Sequence, residues 1–281
     1  MNGVLLINKE EGYTSRDVVN MVSKKLQIKK VGHAGTLDPL ATGLLVIGVG
    51  KATKILDLLT LDTKEYIATV KMGLATDTLD ITGKVIQKKE DFTVNKEKIE
   101  KVFKKFLGTY LQTVPKYSAV KIKGKKLYEY ARSEKEVVLP KRNVTIYSLS
   151  LLEYDMKKQE FTFKALVSKG TYIRSLISDI GNCLGIPCTM KKLVRTKSGK
   201  FNIQDSVKIN DKFKVIPIRE ALDFPIYQVN DLDLLKKVKN GNLVSLKKNL
   251  EPVILFVDSN QQEIAIYKKL TIHDYKAFKV F

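Results

Sequence analysis

Twelve residues near the N-terminus constrain this chain more than any others: Gly32-His33-Ala34-Gly35-Thr36-Leu37-Asp38-Pro39-Leu40-Ala41-Thr42-Gly43. Three glycines and a proline make the stretch too short and too stiff for a linker. Pro39 pushes the backbone of Asp38 toward an extended conformation. The run that follows, Leu44-Leu45-Val46-Ile47, reads as a buried strand. A lone carboxylate on a rigid loop beside a core strand suits covalent or acid/base chemistry, which needs that group held in one position. An Asp-Pro pair also favours an Asx-type turn by itself, so the loop's own residues leave both readings open.

At 281 residues the chain can build one large core or two domains. Fifty Lys and Arg oppose 30 Asp and Glu, and the net charge of +20 would draw a phosphate-rich partner by long-range attraction and counterion release. Only six of these cations are Arg, so a lysine-rich proteome accounts for part of the excess. Cys183 and Cys188 cannot form a disulfide scaffold and indicate a reducing compartment. Their spacing is not that of a zinc site, and His33 and His273 lie far away in sequence. No apolar stretch reaches bilayer-spanning length, and Met1-Asn2-Gly3 lacks a signal peptide's basic head, so a soluble, cytoplasmic protein is expected.

Val4 to Ile7 reads as a short strand, and Thr14 with Asp17 as the capping box of a helix whose inner face is Val18, Val19, Val22 and Leu26. Gly48-Val49-Gly50-Lys51-Ala52-Thr53 resembles a phosphate loop only superficially. Leu45 stands where the first glycine is needed, and Ala52 where Ser or Thr must follow the lysine. A glycine turn into a helix bearing Ile55, Leu56, Leu58 and Leu59 is expected instead. Tyr66 to Val70 reads as a strand, and Asp77 to Gly83 as a hydrogen-bonded acidic turn with too few oxygens for a metal. Asn95 caps a helix whose apolar face is Ile99, Val102, Phe103, Phe106 and Leu107. Strands are expected over about 143–154 and 160–168. A helix then starts at Thr171, with Ile173, Leu176, Ile177, Ile180 and Leu184 inward. Phe224-Pro225 closes the first domain. Beyond it come a short helix over 232–239, a turn at Gly241, and strands near 252–257, 263–267 and 277–281. After residue 228 nine lysines face six acids, so most of the positive charge belongs to the first part.

The loop pattern G-H-x-G-x-L-D-P-x-A-x-G resembles the catalytic-loop motif of bacterial tRNA pseudouridine-55 synthases, the tRNA pseudouridine synthase B family. Five further blocks resemble that family in order. Ile7 to Ser15 resembles D-K-P-x-G-x-T-S, with Asn8 and Glu10 in place of the usual Asp and Pro. Thr76 to Gly83 resembles T-D-T-x-D-x-x-G, and Tyr117 to Arg132 resembles Y-S-A-x-K-x-x-G-x-x-x-Y-x-x-A-R. Lys169 to Arg174 matches K-G-T-Y-I-R, and Lys191 to Phe201 resembles a further family strand with five cations and no acid.

The resemblance implies an α+β fold: a mixed, largely antiparallel sheet flanked by helices over residues 1–224, and a small β-rich PUA-like RNA-binding domain over 225–281. It implies conversion of uridine 55 in the T-loop of tRNA to pseudouridine by base flipping, with no cofactor or metal. The partner is the T-arm of tRNA, with no obligate protein partner. Asp38 becomes the catalytic carboxylate, and Arg174 the guanidinium that keeps it anionic against burial. Tyr66 stacks on the uracil, and its hydroxyl can carry the last proton. Tyr172 and Leu193 line the pocket and His33 stands by the extruded nucleotide; Lys9 and Asp80 complete the substrate-binding set. Lys121, Lys125, Lys126 and Arg132, with Lys191, Lys192 and Arg195, form the expected RNA-contacting surface, where cations track phosphates and tyrosines can stack on bases. A non-catalytic RNA-binding protein would have no need of Asp38. An aspartyl-phosphate enzyme would want Mg²⁺-binding carboxylates where Pro39 and Leu40 stand. A synthase acting on another RNA is separated only by the family match.

Overall fold

Successive residues of a strand point to opposite faces, yet Leu44, Leu45, Val46 and Ile47 are all fully buried. An unbroken apolar run of this kind requires cover on both sides of its sheet, and that requirement organises the molecule. The computed structural model describes residues 1–60, 63–133, 137–246 and 249–281, and of Arg132 the backbone only.

In chain order, β1 (Gly3–Lys9), α1 (Ser15–Leu26), β2 (Val31–His33) and β3 (Thr42–Val49) lead through a 3-10 turn, Gly50–Ile55, into α2 (Leu56–Thr60). Next come β4 (Lys64–Met72), the hairpin of β5 (Leu74–Thr76) and β6 (Val85–Lys88), α3 (Lys96–Phe106) and β7 (Gly108–Thr113). The small hairpin of β8 (Lys121–Ile122) and β9 (Lys125–Lys126) precedes α4 (Leu127–Arg132) and the long hairpin of β10 (Lys141–Asp155) and β11 (Glu160–Val167). Then follow α5 (Ile173–Leu184), β12 (Cys188–Ser198), β13 (Phe201–Asn202) and α6 (Ile218–Ala221). The C-terminal part holds β14 (Ile226–Gln228), α7 (Leu232–Lys239), β15 (Val244–Ser245), β16 (Val253–Val257), β17 (Glu263–Lys269) and β18 (Asp274–Val280).

The large sheet runs β1-β3-β12-β4-β11-β10-β7, with β2 also on β3 and β13 on β12. Its pairs are antiparallel except β3 with β12, which run parallel where Thr42 and Gly43 meet Val194 and Arg195. Gly43 has φ +98°, and a Cβ there would stand 2.4 Å from the Arg195 carbonyl oxygen, so only glycine permits this approach. The second sheet runs β14-β16-β17-β18-β15.

Helix ends follow their local chemistry. The Thr14 hydroxyl accepts from the Asp17 N–H at 3.1 Å and the Asp17 carboxylate accepts from the Thr14 N–H at 2.8 Å, the expected capping box. The Asn95 side chain accepts from the Lys98 N–H at 3.0 Å. Leu107 departs from the expected apolar face and is 49% exposed. The helix ends at Phe106 and Leu107 turns extended, so helical spacing no longer aims its side chain. The helix expected from Thr171 begins instead at Ile173, with Tyr172 as its N-cap.

Leu5 and Ile7 of β1, with Leu45 and Ile47 of β3, face a core closed by Val18, Val19 and Val22 of α1, Phe103 of α3, and Leu176 and Ile180 of α5. The opposite face, with Val4, Leu6, Leu44 and Val46, belongs to one continuous cluster that takes in Ala52, Ile55 and Leu222 and extends to Leu255, Val257 and Ile266 of the C-terminal sheet. A third cluster, including Phe256, Tyr267 and Tyr275, lies within the C-terminal part. Among the described residues no helix is long and apolar enough to cross a membrane.

Candidate active site

The loop carrying Asp38 is tied down by groups from three elements. Ala34 N–H donates to the Val46 carbonyl at 2.9 Å. The Ser15 hydroxyl, at the start of α1, accepts from the Leu37 N–H at 2.8 Å and donates to the Leu37 carbonyl at 3.1 Å. Pro39 carbonyl accepts from the Gly12 N–H at 2.9 Å and from Lys9 Nζ at 3.2 Å. Lys9 also donates to the carbonyls of Tyr13 and Glu10 at 2.6 and 3.0 Å. Only 1% of Lys9 is exposed, and burial pulls its ammonium down to about 8 against the opposing charge of Asp38. Expected as a substrate-binding residue, Lys9 holds the loop from beneath.

Arg195, expected on the RNA-contacting surface, is buried. The alternation of β12 puts Arg195 on the face of Leu193, under the loop, where 1% of it is exposed. Its Nε donates to the Leu44 carbonyl at 2.7 Å, with Nη2 donating to Gly35 and Nη1 to Thr36 at 3.2 and 3.5 Å. Replacing it with Leu leaves these carbonyls without a charged donor and is expected to cost about 3 kcal/mol in urea unfolding. A loss below about 1 kcal/mol would mean the loop stands without the guanidinium.

Arg174 Nε meets the Asp38 carboxylate at 2.8 Å. The guanidinium is 5% exposed and every edge is used: Nη1 donates to the Thr78 carbonyl at 2.9 Å, and Nη2 to the Tyr117 carbonyl at 3.0 Å. Asp80 stands 3.9 Å from Nη1 and is itself fixed by the Thr82 N–H at 3.0 Å and the Thr78 hydroxyl at 2.9 Å. Between them Leu79 takes a left-handed φ of 63°, which a branched-chain residue adopts only under constraint. The acidic turn and the segment at Tyr117 therefore converge on one guanidinium, which aligns with one carboxylate. Burial is the largest influence on Asp38 and pushes its carboxyl up from the ordinary range. Arg174 pulls it back, in the direction the sequence reading expected, and Asp80 pushes it further up.

Asp38 and Arg174 border a cavity of about 350 Å³ that Tyr66, Tyr172, Leu193 and Arg195 also line. That volume lies in the range of small-molecule sites, about 300–1,000 Å³. Lys64, Ser118 and Lys169 line it too, and sequence reasoning did not single them out as site residues. The signal was present for Lys64, which opens β4 two residues before Tyr66. His33 and Asp80 sit outside the lining, as does Lys9. Burial pulls the His33 imidazole below its ordinary value, and its Nδ1 is buried with no hydrogen-bond partner among the described residues. Lys191 pairs with Glu160 at 2.6 Å and, with exposed Lys192, borders a separate cleft. Lys121 and Lys125 are exposed on the β8–β9 hairpin, and Lys126 lies 5.4 Å from the Tyr128 ring. The side chain of Arg132 lies outside the described residues. Among those described, no group of three or more His, Cys, Asp or Glu gathers as a metal would require.

The fold is shared with solved structures. A chain of a Cbf5-Nop10-Gar1 complex superposes with a TM-score of 0.72 at 24% identity, covering 99% of this chain and 84% of that one. A chain of the archaeal box H/ACA sRNP Nop10-Cbf5 complex gives 0.70 at 24% identity, covering 99% and 85%. Residues 23–173 match the family described as TruB family pseudouridylate synthase (N terminal domain). The chain is 44% identical to tRNA pseudouridine synthase B of Geobacillus thermodenitrificans over 96% of its length and 95% of the relative's. It is 39% identical to the protein of that name in Mesoplasma florum, over 95% and 94%. Fold and sequence together define a pseudouridine synthase, an isomerase. The chain belongs to the TruB family.

Proposed function

We propose that the protein converts uridine 55 in the T-loop of tRNA to pseudouridine, with Asp38 as the catalytic carboxylate. What carries this reading is the Asp38–Arg174 pair, 2.8 Å apart at a cavity lined by Tyr66, Tyr172 and Leu193. The reaction breaks the bond from uracil N1 to ribose C1′, turns the base, and joins C5 to C1′; the C5 proton leaves and N1 gains one. Reactant and product have the same composition, so the chain need supply only an ionised carboxylate, a place for the base to turn and a route for one proton. Asp38 is 36% exposed and lies on the lining, where a base or ribose can reach it.

The target base must leave its stack, at a cost of a few kcal/mol. Stacking on an aromatic ring returns about 1–3 kcal/mol per base, and Tyr66 and Tyr172 offer such rings. Tyr66→Phe keeps the ring and removes the hydroxyl, whereas Tyr66→Leu removes both. Expected is near-parental RNA affinity for the Phe variant and an approximately tenfold weaker Kd for the Leu variant. Equal affinities would count against stacking, and slow turnover by the Phe variant would assign the hydroxyl to proton transfer.

Exposed Lys121 and Lys125 and the PUA-like part after residue 224 would meet the phosphates of the T-arm and the rest of the tRNA. The direct test is mass mapping of pseudouridine in full-length tRNA and in a T-arm hairpin after incubation with purified protein. Pseudouridine at position 55 alone is expected. Binding without modification would leave a non-catalytic RNA-binding protein, and modification elsewhere would reassign the substrate.

A further inference from the structure

Helix α5 carries three cavity residues at its start, Tyr172 as N-cap followed by Ile173 and Arg174, and its N-cap side chain makes no capping hydrogen bond. The N-cap residue itself is held from β7. Gln112 is fully buried, and its Oε1 accepts from the Tyr172 N–H at 2.8 Å while its Nε2 donates to the Tyr172 carbonyl at 3.1 Å. One amide thus holds both polar groups of one residue's backbone, which fixes direction as well as distance. Nε2 also donates to the Tyr110 hydroxyl at 2.6 Å, which in turn donates to the Asp179 carboxylate at 3.3 Å. The Ser175 hydroxyl donates to the Thr113 carbonyl at 2.8 Å. Tyr172, Ser175 and Asp179 share one face at helical spacing, so these bonds form a polar seam between β7 and α5 in an otherwise apolar interface. Apolar packing would hold the helix near the sheet but would tolerate sliding along it; fixed donors and acceptors do not.

We propose that Gln112 is a positioning residue for the isomerisation: its amide clips the Tyr172 backbone and thereby sets where the Tyr172 ring and the Arg174 guanidinium stand in the cavity. The proposal rests on reading that cavity as the uridine site. Gln112 lies outside the cavity lining, and its side-chain hydrogen bonds reach that lining only at Tyr172, so its effect is expected on turnover more than on RNA affinity.

The test is steady-state kinetics of the full-length protein on a T-arm hairpin between pH 5.5 and pH 8, with thermal melts at both ends. Gln112→Leu keeps the volume and removes the clip. A kcat fall of about 100-fold is expected, the scale of a misplacement near 1 Å, with KM within about threefold of the parent. Gln112→Glu makes the clip titratable. The ionised carboxylate still accepts from the Tyr172 N–H but loses both donors and turns a charge toward the Tyr172 carbonyl, whereas the protonated acid regains one donor. Asp179 and Tyr110 face this position from the seam. Arg142 lies opposite it on β10, with its guanidinium 5.5 Å from the Tyr172 ring. Full burial at this position raises an introduced carboxyl above the ordinary Glu range, so relative to the parent at each pH the Gln112→Glu deficit should shrink by at least about tenfold from pH 8 to pH 5.5, while the Gln112→Leu deficit stays constant.

A Gln112→Leu kcat within threefold of the parent, a loss confined to KM, or a Gln112→Glu deficit unchanged with pH would each overturn the proposal. Should Gln112→Leu fail to fold, the Gln112→Glu ratio decides alone. Asp38→Asn is run alongside. Activity surviving there would overturn the site assignment itself, whereas its loss beside a normal Gln112→Leu would overturn only the role of Gln112.

Discussion

Asp38→Asn is expected to leave pseudouridine formation undetectable while RNA affinity stays within about threefold of the parent, because phosphate contacts made elsewhere supply most of the attraction. The substitution keeps the side chain's shape and removes its charge. Arg174 remains held by the Thr78 and Tyr117 carbonyls, so the cavity keeps its form. The assay is pseudouridine mapping on purified variant and parent, with RNA binding measured on both; substantial turnover by the variant would remove Asp38 from the mechanism. The same carboxylate sets a pH dependence for the parent. The proposed reaction needs it ionised, and burial raises its pKa above the ordinary value near 4. Activity should therefore be full above the raised value and be lost as pH falls through it, giving an acid limb centred above about pH 4. A limb at or below that point would mean that the Arg174 guanidinium outweighs burial after all.

Deleting residues 225–281 is expected to yield a chain that aggregates or melts at least about 10 °C below the parent. The sequence reading expected residues 1–224 to fold alone, on the ground that charge and family motifs concentrate there. In the structure Val4, Leu6, Leu44 and Val46 share a cluster with Leu255, Val257 and Ile266. Exposing a buried aliphatic side chain costs about 1.5–3 kcal/mol. Losing cover over several of them removes a sum comparable to the whole stability of a typical domain, about 5–15 kcal/mol. Size-exclusion chromatography and thermal melts of the truncated chain test this; a monomer melting within a few degrees of the parent would restore the independent domain.

What the sequence disclosed was local or periodic. The Thr14–Asp17 capping box, the Asn95 cap and the inward face of α5 are short-range patterns, and each is present. Asp38, Tyr66, Tyr172, Arg174 and Leu193 came from family motifs, and the fold gathers them at one cavity. Charged side chains that serve the backbone escaped notice. Lys9 and Arg195 are cations in the sequence and look like surface, but their partners are carbonyl oxygens, which every residue carries and no motif marks. Gln112 escaped for the same reason, since its partner is the backbone of a residue 60 positions later. The shared apolar face was hidden because a strand buried on both sides shows no alternation, and the run Leu44–Ile47 does not say what covers each side.

The strand order β3-β12-β4 has a consequence for a chain made from its N-terminus. β3 and β4 are neighbours in sequence yet never pair; the seat between them belongs to a strand that starts at Cys188. At roughly 5–20 residues per second, a ribosome needs about 6–25 seconds to add that strand after β4 has been made. During that interval the Asp38 loop exists without Arg195 beneath it or Arg174 beside it, and two strand edges stand open to other chains. The nascent protein thus has an unsupported Asp38 loop and open strand edges at the same stage, and both conditions end when β12 takes its place in the gap.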